Sequence, residues 1–167
     1  MRLQDKVAIV TGAAQGIGQG IAMRFAREGA HVAVCDLNAE GANKVSQDIS
    51  ALGRKSLWFE VDVSNSSAVN DMVKRTADFF YRIDILVNNA GGSYSLPTKL
   101  EEITDEIWDK VVNSNLKGTF ICSREVAPYM IKQKSGRIIN LASIAGRNGG
   151  KMVGPQYTSA KAGVMGL

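Results

Sequence analysis

Short β-branched apolar runs alternate along this chain with stretches whose apolar residues recur every three or four positions, the periods of buried strands and amphipathic helices. Lys6–Thr11 (Lys-Val-Ala-Ile-Val-Thr) is the first such run and ends at Gly12, as a buried parallel strand should. From Gly16 to Glu28, the residues Ile17, Ile21 and Phe25, with the small Gly20 and Ala22, repeat at helical spacing until Gly29 stops the helix. The pattern then predicts a strand over 31–35 with Asp36 at its tip, a helix over 40–52, a strand over 56–61, a helix over 68–81 and a strand over 83–87. A long helix follows over about 104–132, then a fifth strand over 137–142, a glycine-rich loop, and a last helix starting near Gln156. Such alternation specifies an α/β fold with a parallel sheet covered on both faces.

Composition narrows the class. At 167 residues, 45% apolar and 22% charged with three prolines, the chain suits one globular domain and excludes disordered, collagen-like and low-complexity classes. Its longest apolar runs are four residues, far short of a membrane span, and Met1–Lys6 leads into no apolar signal-peptide core. Cys35 and Cys122 cannot build a disulfide framework and read as small buried hydrophobes in a reducing cytoplasm. With one histidine, His31, they provide no recognisable zinc site, so no metal is expected. The net charge of +4 is spread through the chain, and neither nucleic acid nor a membrane is an expected partner.

Glycine, at 17 residues, is enriched and clustered. Thr11-Gly12-Ala13-Ala14-Gln15-Gly16-Ile17-Gly18 joins the first strand to the first helix, where backbone N–H groups at a helix N-terminus can meet a pyrophosphate. Asp36 follows 18 residues after Gly18, at the end of strand two, where a carboxylate can accept bonds from an adenosine ribose diol. The plainer reading of Asp36 is a cap on the turn before helix two. A carboxylate there repels a 2′-phosphate about 5 Å away by several kcal/mol at an effective dielectric near 20. Neither Gln15 nor Leu37 supplies an offsetting cation, so NAD is favoured over NADP. Asp62-Val63, at the end of strand three, has two readings of equal weight: a contact to an adenine amino group, or an N-terminal cap for the next helix.

Tyr157 and Lys161 stand four apart on the last helix and share a face. A phenol titrates near 10, and bringing it near 7 takes about 4 kcal/mol of preference for the phenolate. An ammonium about 4 Å away supplies roughly that at an effective dielectric near 20, making Tyr157 a general acid/base candidate.

Together these residues resemble the short-chain dehydrogenase/reductase family in its compact form. The matching pieces are Thr-Gly-x-x-x-Gly-Ile-Gly at 11–18, Asp36, Asp62-Val63, Asn88-Asn89-Ala90-Gly91, Asn115, Ser143, and Tyr157-Thr158-Ser159-Ala160-Lys161, which run through nearly all of the chain. The resemblance implies a Rossmann-type doubly wound sheet of order 3-2-1-4-5, with the family's strands six and seven absent here. It implies that Ser143 binds the substrate oxygen, Tyr157 transfers the proton, and Lys161 tunes Tyr157 and holds the nicotinamide ribose. Asn115 would support a water relay to that lysine, or, more plainly, satisfy a backbone carbonyl at a helix kink. Cofactor contacts are implied for Gly12, Gln15, Gly16, Ile17, Gly18, Asp36, Leu37, Asp62, Val63, Asn88, Ala90 and Gly91 as well as Tyr157 and Lys161, while Asn89 holds strands together.

The activity so implied is an NAD(H)-dependent oxidoreductase moving a hydride between nicotinamide and a secondary alcohol or ketone. Alternatives are a 3-oxoacyl-carrier-protein reductase using NADPH, with which Asp36 sits awkwardly, and a non-catalytic dinucleotide-binding fragment. An epimerase or dehydratase of nucleotide sugars is disfavoured by the glycine spacing. Arg147 and Lys151 could meet an anionic substrate, although solvated cations on a glycine loop are the plainer account. The resemblance further implies homodimers or homotetramers, pairing through the long and last helices. Leu167 falls about three turns into the last helix with no cap, proline or polar run, and strand five would be an exposed apolar edge. The expectation is a single NAD-binding domain over 1–167, the N-terminal two thirds of a longer polypeptide.

Overall fold

The computed structural model describes residues 1–150 and 152–167; Lys151, one of the two cations weighed above, lies outside the described residues. Five parallel strands, β1 (Val7–Thr11), β2 (His31–Asp36), β3 (Ser56–Glu60), β4 (Ile85–Asn88) and β5 (Arg137–Asn140), form one sheet in the order β3-β2-β1-β4-β5. This is the doubly wound Rossmann order the sequence predicts, with its reversal between β1 and β4. Period-two alternation divides the core. Ile9, Ala33, Cys35 and Leu86 face α3 (Ser66–Phe80) and α5 (Gly118–Gln133), while Ala8, Val10, Val32, Val34 and Val87 face α1 (Gly16–Arg27) and α2 (Ala39–Ala51). All of β1 is buried, whereas Ile138 and Ile139 of edge strand β5 are 40% and 44% exposed.

The helices begin where local donors are satisfied. Asn38 caps α2 and Asn65 caps α3 with their side-chain oxygens, so Asp62 is not the cap of α3. Gly29, at φ +99°, stops α1 as predicted. Two regions depart from the sequence pattern. The long helix is three pieces: α4 (Asp105–Val112), a π-helical turn at Asn113–Lys117, and α5. Within that turn Gly118 donates its N–H five residues back to Asn113, a register change that no hydrophobic period announces. The predicted glycine-rich loop contains a short helix, α6 (Ile144–Asn148), capped by Ser143, before α7 (Pro155–Gly166). Strand four runs two residues later at its start and one later at its end, Ile85–Asn88 rather than 83–87, and strand five stops earlier, at Asn140 rather than Ala142.

Among the described residues no helix is long and apolar enough to cross a membrane, and no group of three or more His, Cys, Asp or Glu is arranged to hold a metal. His31 is at the N-terminal end of β2, its Nδ1 accepting the Lys55 N–H at 3.1 Å and its ring stacked on Phe80.

Candidate active site

The C-terminal ends of parallel strands, at the point where the strand order reverses, form a crevice because the flanking helices leave in opposite directions. Here a cleft of about 200 Å³ opens at that point. Gly12, Gln15, Asp36 and Leu37 line it from the β1–β2 side, Val61, Asp62 and Val63 from β3, and Asn89, Ala90, Gly91, Tyr94 and Ser114 from the far side.

The glycine turn is shaped by two different needs. Gly12, at φ +63°, lies so close to β4 that a Cβ would stand 2.8 Å from the Ala90 Cα. Gly16, at φ +58°, has no atom within 4 Å of where a Cβ would be and is exposed at the start of α1 beside Ile17. Gly18 is buried, with a Cβ there colliding with the Gly12 carbonyl, so it closes the turn from below. This arrangement leaves open backbone at a helix N-terminus and fits a pyrophosphate.

Asp36 both shapes and lines the cleft. Its Oδ2 accepts the Ala14 N–H at 2.9 Å and its Oδ1 accepts the Asn38 N–H at 3.0 Å, so the turn-capping reading is realised while the carboxylate still faces the opening. Asp62 accepts from the Ser64 N–H and hydroxyl at 2.8 and 2.7 Å and remains exposed. Among the described residues, no lysine or arginine lines the cleft.

The side chains of Asn88 and Asn89 divide their work between the two faces of β4. That of Asn88, 3% exposed, donates to Ser123 Oγ at 3.0 Å and Asn140 Oδ1 at 2.9 Å, joining β4 to α5 and β5 away from the cleft. The cause is strand parity, because Asn88 shares the face of Leu86. Asn89 lines the cleft instead, and its Nδ2 also donates to the Thr11 and Gly12 carbonyls at 2.9 Å, tying β4 to β1.

Beside this cleft stand the residues of the second cluster. Asn115, fully buried in the π turn, donates Nδ2 to the Val111 carbonyl at 2.9 Å and the Gly92 carbonyl at 3.0 Å, and its Oδ1 is buried without a partner. Carbonyl satisfaction at a kink is therefore realised, and an acceptor remains. Gly91, at φ +126°, is required next to it, since a Cβ would collide with that Oδ1. Ser143 Oγ accepts the Ala145 N–H at 3.2 Å as the cap of α6. Gly146 lets α6 pack backbone to backbone on α7, with a Cβ there 2.6 Å from the Lys161 carbonyl carbon, and so brings the two helices' chemistry together.

Lys161 is 5% exposed; its Nζ donates to the Leu141 carbonyl at 2.7 Å and lies 5.8 Å from the centre of the half-buried Tyr157 ring. Burial pushes the Lys161 ammonium below its usual pKa. None of Ser143, Tyr157 and Lys161 lines the cleft itself. Tyr94, Ser114, Val61 and the buried Gln156 were not singled out by sequence; Gln156 shares the stripe of Ala160 and Val164, the one pattern that points to its burial.

Residues 6–167 match the family model described as short chain dehydrogenase. The chain is 44% identical over 167 residues to the (2S)-[(R)-hydroxy(phenyl)methyl]succinyl-CoA dehydrogenase subunit BbsD of Thauera aromatica, covering 100% of this chain and 66% of that protein. It is 38% identical to the 3-oxoacyl-[acyl-carrier-protein] reductase FabG of Thermotoga maritima, covering 100% and 67%. Among solved structures, NAD+-bound xylitol dehydrogenase superposes with a TM-score of 0.95 at 31% identity, covering 100% of this chain and 64% of that one. A 7α-hydroxysteroid dehydrogenase complexed with NADH and 7-oxo glycochenodeoxycholic acid gives 0.92 at 34% identity, covering 99% and 64%. The chain thus spans about two thirds of the length of these proteins.

Proposed function

The chain belongs to the short-chain dehydrogenase family, and from that premise we propose that it forms the dinucleotide-binding and proton-transferring part of an NAD(H)-dependent oxidoreductase acting on a secondary alcohol or its ketone. The observation that carries this reading is the close backbone packing, at Gly146, of α6, which Ser143 caps, on α7, which carries Tyr157 and Lys161.

When bound, a nicotinamide dinucleotide supplies or accepts the hydride. Backbone N–H groups at Gly16, Ile17 and Gly18 hold its pyrophosphate, and Asp36 accepts its adenosine ribose hydroxyls. Gly12, Gln15, Leu37, Asp62, Val63, Ala90 and Gly91 complete that side. Ser143 keeps its hydroxyl hydrogen, since Oγ only accepts from Ala145, and donates it to the substrate oxygen. Tyr157 gives its Oη proton to that oxygen in reduction and takes it in oxidation. The Lys161 ammonium stabilises the anion left on Oη and turns its remaining hydrogens toward the nicotinamide ribose. The free Oδ1 of Asn115 suits a water that returns the proton through Lys161.

NAD over NADP is supported by two carboxylates and, among the described residues, no cation along the cleft, and by the two NAD(H)-bound structural relatives. The reading also includes a homodimer or homotetramer, a small-molecule substrate and a cytoplasmic setting, the last supported by two buried free cysteines. A second reading, reduction of a 3-oxoacyl thioester, is favoured by the names of the sequence relatives and uses the same residues.

Titration with NADH and NADPH, followed by assays with acetoacetyl-CoA, xylulose and a 7-oxo bile acid, tests both levels. NADH should bind at least ~30-fold more tightly than NADPH, as expected for one unscreened carboxylate–phosphate repulsion. Tighter NADPH binding would overturn the cofactor assignment, and tight binding without turnover of any carbonyl would favour a non-catalytic dinucleotide-binding role.

A further inference from the structure

The segment after β4 holds two consecutive non-glycine residues in the left-handed region, Tyr94 at φ 57° and Ser95 at φ 52°. Such a pair costs free energy and persists only where its surroundings impose it. Two buried amides bracket it. Asn115 Nδ2 donates to the Gly92 carbonyl at 3.0 Å, and Gln156 Nε2 donates to the Pro97 carbonyl at 3.0 Å. Gln156 is 1% exposed and its Oε1 is buried with no partner. A buried orphan acceptor lowers stability, so an apolar residue of the same shape would serve the core better. The Gln156–Pro97 bond also lies in a niche that only glycine leaves open: a Cβ on Gly154 would stand 2.7 Å from the Pro97 oxygen and collide with Gln156 Oε1.

We propose that Gln156 is a positioning residue whose Nε2–Pro97 bond clamps residues 92–97 to the start of α7. The clamp fixes Tyr94, a wall of the cleft, relative to Tyr157, the next residue after Gln156, so that a carbonyl substrate meets wall and proton donor in one arrangement. This rests on the oxidoreductase reading above. It acts at the Tyr94 end of the cleft, whereas Asp36 and Asp62, at the adenosine end, are held independently by Ala14, Asn38 and Ser64.

Three variants of the full chain test it. Gln156→Met keeps the shape and removes the donor, Gly154→Ala attacks the bond from outside, and Gln156→Glu restores a donor only when its carboxyl is protonated. Amide exchange over 92–99 should accelerate about tenfold in the first two, the value of one lost hydrogen bond, with α3 unchanged. In Gln156→Glu, protection corrected for intrinsic rate should return as the pH falls from 8 to 5, and this carries the test if Gln156→Met does not fold. With NADH and whichever carbonyl of the panel the wild type turns over best, Gln156→Met should raise KM for that carbonyl about tenfold, with KM for NADH and kcat within about threefold. Unchanged exchange over 92–99 overturns the clamp whatever the enzyme turns over. Faster exchange with an unchanged carbonyl KM overturns its role in positioning. A wild-type protein inert toward every carbonyl of the panel overturns that role together with the reading it rests on, and exchange then decides whether the clamp itself exists.

Discussion

At the cleft end of the sheet the two sides treat polar groups in opposite ways; the buried, unpartnered Arg54 Nε lies at the other end, beside His31. On the β1–β2–β3 side, β1 is buried throughout, the carboxylates of Asp36 and Asp62 accept nearby backbone N–H groups, and the helices start on asparagine caps. On the β4–β5 side, Asn88 Oδ1, Asn115 Oδ1 and Gln156 Oε1 are buried without partners, an ammonium is buried at Lys161, a π turn interrupts a helix, and β5 is half exposed. A surface that only holds a ligand can be fully satisfied and rigid. One that moves protons keeps unspent donors, acceptors and charge, and that costs stability.

Removing the buried charge should break this comparison most sharply. Lys161→Met should cut turnover roughly 10³-fold, the scale of one acid/base element, while thermal stability holds or rises because a desolvated ammonium has gone. A large fall in melting temperature would mean that the lysine is structural. Next come the strands. Leu86→Ala, in the centre of the sheet, should cost about 2–5 kcal/mol in urea unfolding, and Ile139→Ala on β5 under about 1 kcal/mol; equal losses would erase the contrast. Asp36→Ala should reduce the preference for NADH over NADPH by on the order of 30-fold, measured by competitive titration, with little change in turnover of bound cofactor.

The smallest effect concerns pH at the far end of the sheet. Burial alone pushes the Asp84 carboxyl up, but bonds from Arg82 and the Val7 N–H, with the charges of Arg82 and Lys6, outweigh it and hold the pKa below the usual value. A carboxyl depressed in the folded state adds stability at pH values above its unfolded pKa and loses it as pH falls through the folded one. Wild type should therefore lose stability below about pH 4 more steeply than Asp84→Asn, as followed by thermal unfolding across pH.

Much of this was legible in the chain because buried parallel strands are β-branched and helices repeat every three to four residues. Val7–Thr11 and Gly16–Arg27 could be read almost to the residue. The π turn left no trace, since a five-residue change of hydrogen-bond register does not alter the hydrophobic period. The α6 helix hid among glycines because it rests on one serine cap and on close packing against α7, neither of which has a period. The direction of the Asn88 side chain, toward α5, follows from its strand parity with Leu86. Gln156 was passed over because burial of an amide depends on what it meets across the fold, here the Pro97 carbonyl.

The central claim is that one phenolic hydroxyl carries the proton in a site whose dinucleotide grip is built elsewhere. Tyr157→Phe, assayed with NADH and the best carbonyl of the panel and titrated with NADH alone, tests it directly. Turnover should fall by about 10³-fold or more while NADH affinity stays within about threefold. Turnover within tenfold of wild type, at intact NADH affinity, would contradict it.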